Sequence, residues 1–285
     1  MTSMISTATK FLPFSVRRAL DTSLALVGLI ALSPLFCLAA IGIRLSSPGP
    51  IFYRAARIGL NGCRFTMYKF RTMHTEQRTL KSRITADKDP RTFALGALLR
   101  RLKIDELPQL VNIVRGEMSI VGPRPEDPYF VENNYTEDGF ETLQVLPGLT
   151  SPGSIFYYTH GEKCVGSSDP EAAYVEHVLP VKLALDLVYI REASLLYDLR
   201  LILRTIGVLV WVFAGRTDFP DPPEMKKIPM AKSSLNQGAP LKALLSPQKF
   251  RTPWLALKAT LSHTYGVSKL HTTNNGHKPK KEIFQ

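Results

Sequence analysis

A mixed α/β, mainly helical fold with a membrane-directed N-terminal helix is predicted by three features of this 285-residue chain. The apolar run Leu20–Leu45, at about 1.5 Å per residue, is long enough for the roughly 30 Å core of a bilayer. Ile51–Arg57 and Phe65–Phe70 flank the turn formers Gly59-Leu60-Asn61-Gly62, which is the pattern of a small β-hairpin. Further on, Ser194–Phe213 mixes apolar residues with Asp198, Arg200 and Arg204, the composition of an amphipathic helix lying in a membrane interface.

Composition narrows the class. Cys37, Cys63 and Cys164 are odd in number and widely spaced, so they form neither a disulfide framework nor a zinc site, and they point to a reducing setting. The net charge of +12 calls for an anionic partner, whether nucleic acid, membrane surface or phosphorylated substrate. From Asp221 onward, eleven Lys and Arg face three Asp and Glu, so +8 of the excess sits in the tail. The six histidines stand singly and lack metal-ligand spacing.

In chain order, residues 1–16 carry no signal. Arg17-Arg18 and Asp21 then introduce the apolar run, which Ser33-Pro34 interrupts. A proline there removes a backbone hydrogen bond and breaks a helix. Basic residues flank both ends, with Arg44, Arg54 and Arg57 on the far side, as expected when both ends stay in the cytoplasm. A kinked spanning helix and a hairpin leaving by its entry face both fit this pattern. Ser46-Ser47-Pro48-Gly49-Pro50 is a turn cluster, and the hairpin follows it. Its second strand runs into Tyr68-Lys69-Phe70-Arg71-Thr72-Met73. That segment reads equally as a half-buried strand with solvated cations or as one offering Lys69 or Arg71 to a phosphate.

His74–Asp89 is polar and loop-like, and a helix is expected over Thr92–Leu102. Glu126–Phe140 reads as loop with a short helix, and Leu146–Ser154 as a loop rich in turn formers. Glu171–Glu192 is helical with an interruption near Pro180. The low hydrophobicity after Gly215 predicts a basic, mostly disordered tail, with a short helix at Pro253–Leu257 that would touch a membrane. The divisions expected are 1–16, 17–45, 46–215 and 216–285.

The chain is organised around Arg100–Pro125, RRLKIDELPQLVNIVRGEMSIVGPRP. Asp105 and Glu106 precede apolar residues at helical spacing (Leu107, Leu110, Val111, Val114), and Gly116 closes the run. The spacing predicts Asp105 as an N-cap and Glu106 in the first turn, at the positive end of a helix dipole. Arg100, Arg101, Lys103, Arg115 and Arg124 surround the pair. Two carboxylates among arginines suit metal-assisted chemistry at a phosphate. Taken alone, the pair reads more plainly as a capped helix with solvated cations.

The wider text changes that balance. Asp105-Glu106-Leu107-Pro108-Gln109-Leu110, Asn112, Gly116-Glu117-Met118-Ser119 and Gly122-Pro123-Arg124-Pro125 together resemble the bacterial sugar transferases. These are the monotopic polyprenyl-phosphate phosphoglycosyltransferases that start lipid-linked glycan synthesis. The resemblance runs from about Arg17 to about Gly207 and departs from the family's commonest form at Ser151-Pro152-Gly153-Ser154. It implies a re-entrant membrane helix broken at Ser33-Pro34, anchored by Arg17 and Asp21. It also implies transfer of a phospho-sugar from a nucleoside diphosphate sugar to polyprenyl phosphate at the cytoplasmic face of the inner membrane.

In that scheme Asp105 attacks the sugar-linked phosphate and Glu106 helps hold Mg²⁺. Arg100 and Arg124, with Lys69 and Arg71, meet phosphate oxygens. A depressed Asp105 pKa, supplied by the helix N-terminus and neighbouring cations, would keep the nucleophile ionised. Two rivals stand beside this reading. A basic membrane scaffold or nucleic-acid binder fits the charge, but no nucleic-acid motif is present and the excess lies in the tail. A transmembrane phosphotransferase without a covalent intermediate would need more spanning helices than the one or two candidates here.

Overall fold

The computed structural model describes residues 14–75, 83–84, 89–165 and 169–228. The apolar run forms two helices, α1 (Phe14–Ala31) and α2 (Ser33–Ser46), bent by 60° across the intervening Leu32. Pro34 occupies the first turn of α2, where its missing N–H has no intrahelical partner to lose. Ser33 Oγ donates to the Ile30 carbonyl at 2.8 Å. The break thus falls where the sequence places it. Among the described residues no single helix is long and apolar enough to cross a membrane, and the bent pair meets that test only together. Ala25, Ala39 and Ile43 face inward, while Val27, Ile30, Leu38 and Leu45 are exposed.

The hairpin comprises β1 (Phe52–Ile58) and β2 (Arg64–Phe70), antiparallel, with Phe52 opposite Phe70 and Ile58 opposite Arg64. Its turn needs left-handed backbone at Asn61 (φ 54°) and Gly62 (φ 76°), residue types that tolerate it. Helix α3 (Ala94–Arg101) follows. Lys103 then takes a left-handed conformation, φ 54°, before a single 3₁₀ turn, Ile104–Glu106. Helix α4 begins only at Gln109 and ends at Arg115, closed by Gly116 at φ +85°.

Beyond α4, β3 (Ser119–Val121) runs to α5 (Pro128–Asn134) and α6 (Glu137–Glu141), N-capped by Asp127 and Thr136. The stretch expected as a loop, Leu146–Ser154, contains β4 (Gly148–Thr150), which pairs in parallel with β3. Strands this short leave no alternation to read. Here Gly148 and Gly122 touch through their backbones: a Cβ on Gly148 would lie 2.1 Å from the Gly122 nitrogen.

Helix α7 (Pro152–Phe156), N-capped by Ser151, continues through a π-helical turn, Tyr157–Gly161, into α8 (Glu162–Cys164). A second π-turn, Tyr174–Val178, joins α9 (Pro170–Ala173) to α10 (Leu179–Glu192), which puts the irregularity just ahead of Pro180. Ser194 caps α11 (Leu195–Phe213). On α11, Leu196, Leu199, Leu203, Ile206, Val210 and Phe213 recur three or four residues apart, and all are exposed. This is one continuous apolar stripe.

Leu179, Leu183 and Leu185 of α10 pack with Phe130, Tyr174 and Val178 in the largest core cluster. A second cluster joins Ala25 of α1, Met67 of the hairpin and Ile113 of α4. A third sets Ile43 of α2 against Phe70, Phe93 and Leu99. Folded packing continues past the tail's expected start at 216. Pro223–Lys227 forms a 3₁₀ turn, buried Glu224 accepts from Tyr197 (2.8 Å) and Arg204 (2.9 Å), and Ile228 joins the α10 cluster. Residues 229–285, including the expected helix at Pro253–Leu257, lie outside the described residues.

Candidate active site

Asp105 and Glu106 sit in the 3₁₀ turn rather than at a helix cap, with Pro108 and not Asp105 in the N-cap position of α4. The left-handed Lys103 ends the run from α3, and Glu106 reaches both the hairpin and the Gly122–Pro125 loop. Glu106 Oε1 accepts from Lys69 Nζ of β2 at 3.0 Å and from the Arg124 guanidinium. Asn112 braces the arrangement from below. Its Nδ2 donates to the Thr66 carbonyl (2.7 Å) and to Glu117 (2.6 Å), and its Oδ1 accepts from the Tyr68 N–H (3.1 Å).

The electrostatics separate the two acids. Burial pushes Glu106 upward, but Arg124, Lys69 and Lys103 together outweigh it and hold the carboxyl well below its usual range. Burial also raises Asp105, and Glu106 beside it raises it further, against the pull of Lys69, Lys103 and Arg100. The direction for Asp105 is therefore opposite to the sequence-based expectation. The cations do reach it, but they are spent mainly on its neighbour. The surroundings therefore favour the charged form more strongly at Glu106 than at Asp105.

The Asp105 Oδ1 atom is buried and has no hydrogen-bond partner among the described residues, and neither does either amide atom of Gln109, one helical turn later. Buried polar atoms of that kind normally have a partner, so a ligand that supplies one is expected at this turn. Two adjacent carboxylates, one with an orphaned oxygen, fit a hard divalent cation such as Mg²⁺. That ion is commonly held by one or two carboxylates with substrate phosphates completing its shell. Among the described residues no group of three or more His, Cys, Asp or Glu is placed to hold a metal ion.

Other expected site residues divide. Arg124 and Lys69 meet at Glu106. Arg100, in the last turn of α3, lies close enough to lower Asp105. Arg71 is placed elsewhere. Buried one residue beyond the end of β2, it donates to the Pro50 carbonyl (2.5 Å) and to Ser47 Oγ (2.9 Å) and carbonyl (2.7 Å), tying down the Ser47–Pro50 turn. The alternation that would set it beside Lys69 stops with the strand. Arg17 and Asp21 form a latch on β3: Arg17 donates to the Val121 carbonyl (3.1 Å) and pairs with Asp198 (3.1 Å), while Asp21 accepts from Ser119 Oγ (2.7 Å). Arg18 adds bonds to the Met118 (3.0 Å) and Ile113 (2.9 Å) carbonyls.

Sequence reasoning missed the support behind Arg124. Glu126, two residues on, is buried against Lys182 Nζ and the Tyr174 hydroxyl. Burial raises Glu126, but Lys182 outweighs it and holds the carboxyl below its usual range. One turn along α10, Asp186 accepts from the Gly153 N–H at 2.9 Å, and also bonds the Ser151 hydroxyl and the Arg124 backbone N–H. Burial pushes Asp186 up to about 6 in spite of those donors. Lys182 and Asp186, four apart in the apolar run 179–190, were the available signal, since buried charges are paired.

Comparison with known proteins was informative. Residues 12–212 match the family described as "Bacterial sugar transferase". The chain is 37% identical over 196 residues to an undecaprenyl-phosphate glucose phosphotransferase of Komagataeibacter xylinus, covering 67% of this chain and 35% of that protein. It is 39% identical over 207 residues to the exopolysaccharide production protein ExoY of Sinorhizobium fredii, covering 67% and 83%. A UDP-glucose:undecaprenyl-phosphate glucose-1-phosphate transferase of Caulobacter vibrioides is 35% identical over 198 residues, covering 68% and 69%. The chain thus spans well under two thirds of some of these proteins and most of others.

Proposed function

Because the chain belongs to the bacterial sugar transferase family, we propose that it transfers a phospho-sugar from a nucleoside diphosphate sugar to polyprenyl phosphate. The relatives' names point to a UDP-sugar donor and undecaprenyl phosphate as acceptor, the step that begins a lipid-linked polysaccharide. The observation that carries the reading is the orphaned, buried Asp105 oxygen beside a Glu106 whose charge two cations fix.

In this mechanism an Asp105 oxygen attacks the phosphorus that bears the sugar. The bond to the nucleoside monophosphate breaks, and that group leaves with the electron pair. An oxygen of the lipid phosphate then attacks the same phosphorus and displaces the Asp105 carboxylate. Arg124 and Lys69 hold phosphate oxygens while they orient Glu106, and Arg100 approaches from α3. Mg²⁺ held by Asp105 and Glu106 would offset the charge of one anion meeting another and favour the ionised form of Asp105. Incubation with a panel of nucleoside diphosphate sugars, Mg²⁺ and polyprenyl phosphate should release the nucleoside monophosphate from one or a few donors. A panel with no release, on protein shown to be folded, would sink the reading. Nucleic-acid binding is not part of it.

The bent α1–α2 pair and the α11 stripe support insertion by a re-entrant hairpin at the cytoplasmic face of the inner membrane. Single cysteines at positions 10 and 60, in an otherwise cysteine-free chain, should both react with an impermeant reagent from the cytoplasmic side only. Labelling from opposite sides would mean a spanning helix. Pro34→Ala should shift some molecules toward that topology.

A further inference from the structure

Two residues before Asp105, Lys103 holds a left-handed backbone that only a few per cent of non-glycine residues adopt. Such conformations persist where the surroundings over-determine them, and they gather at functional sites. The surroundings here are the π-turn after α7. Lys103 Nζ donates to Glu162 Oε1 at 3.0 Å and stands 4.1 Å from the centre of the Tyr158 ring. The Tyr158 hydroxyl in turn donates to the Arg101 carbonyl at 2.5 Å. A π-helical turn is itself a common mark of a functional site.

The ammonium is thus placed by two contacts, with Tyr158 itself held by a third, yet the ion pair it makes is weak. The Lys103 and Glu162 side chains keep 24% and 45% of their exposure, and ion pairs so exposed contribute little. Lys103 is also the N-cap of the 3₁₀ turn that carries Asp105 and Glu106, two residues before the first acid, so the ammonium starts from the edge of the candidate site. The other cations there, Lys69 and Arg124, already share Glu106.

We propose that Lys103 is a further substrate-positioning residue, an ammonium parked on Glu162 and Tyr158 that transfers to the diphosphate of an arriving donor. This rests on the functional reading above. Exchanging a half-exposed carboxylate for a diphosphate costs little and gains a charge-assisted hydrogen bond on a more highly charged anion. Glu162 then acts as a competitor for Lys103, and it should weaken binding rather than assist it.

Calorimetric titration of the full chain in detergent, with Mg²⁺ and inorganic pyrophosphate as probe, tests this. Lys103→Gly removes the ammonium while keeping the left-handed backbone without strain. It should weaken pyrophosphate by at least about tenfold, the loss of one charge-assisted bond. Glu162→Gln should tighten it, and the double variant should bind like Lys103→Gly, because Glu162 acts only through Lys103. The proposal is overturned by a wild-type chain with no pyrophosphate affinity, by a Lys103→Gly chain that binds like wild type, or by a Glu162→Gln chain that binds more weakly. Labelling of Asp105 by a sugar nucleotide, run in parallel, separates the two readings. The expected pyrophosphate pattern without any label refutes the functional reading alone, and a label without that pattern refutes the role of Lys103 alone.

Discussion

Asp105→Asn should form no covalent adduct and should lose turnover by on the order of 10⁴-fold or more, the scale on which removed nucleophiles act. Wild-type protein given Mg²⁺ and the right sugar nucleotide, without lipid, should become phospho-glycosylated at Asp105, and hydroxylamine should release the label as expected for an acyl phosphate. The Asn side chain keeps nearly the same shape but is a poor nucleophile. Glu106→Gln should still form the adduct, slowly and with a higher Mg²⁺ requirement. A label mapping to Glu106 would exchange the two roles.

The pH dependence adds a check that loss of activity cannot give. In the proposed mechanism Asp105 would attack only when ionised, and burial together with Glu106 raises its pKa. The rate of adduct formation should therefore fall as pH drops through the range where Asp105 takes up a proton. Glu106→Gln removes one cause of that rise and releases Lys69 and Arg124 from their partner. Its acid limb should move to lower pH although the variant is slower. A limb that stayed in place would mean the two acids do not share their charge as described.

Lys182→Met should destabilise the protein by about 3–5 kcal/mol, the usual cost of leaving one member of a buried ion pair alone. Glu126 would keep only Tyr174 as a donor from that group. The sign of the pH dependence follows from Glu126. With Lys182 present its folded pKa is lowered, so the stability it contributes is present above its unfolded value and is lost as pH falls through the folded one. Without Lys182, burial dominates and raises it. The defect should therefore be largest near neutrality and shrink as Glu126 takes up a proton. Chemical denaturation of both proteins at neutral and acid pH measures this, and a pH-independent difference would contradict it. Adding Glu126→Gln to Lys182→Met should recover part of the neutral-pH loss.

Much of this was legible in the sequence because the signals were chemical punctuation. Ser33-Pro34 marks a break, Gly59–Gly62 a turn, Gly116 a helix end and Pro180 an irregularity, each for a backbone reason that no packing overrides. The Asp105 turn was not legible, since lysine carries no sign that it will adopt a left-handed backbone. Parallel pairing of β3 with β4 was hidden for another reason. At three residues each the strands have no period, and Gly122 and Gly148, beside prolines, read as turn residues when their work is close backbone contact. Arg71 and Lys69 look alike on paper. The end of β2 at Phe70 sends one to a structural turn and leaves the other at the acids.

The clasp between α1 and β3 bears on how the protein can be handled. Arg17 and Arg18 occupy the carbonyls of Ile113, Met118 and Val121, and Asp21 occupies the Ser119 hydroxyl and the Ile120 N–H. Val121 lies three residues before Arg124. A trimmed version beginning after α2 would thus strip the strand that leads to Arg124 of these partners, leaving Val121 only the Tyr189 hydroxyl. Helix α1 and strand β3 form one mechanical piece. If α1 inserts as proposed, force applied to it by a thicker, thinner or more curved bilayer would be delivered to that strand, so turnover should be read in vesicles of several acyl-chain lengths as well as in detergent.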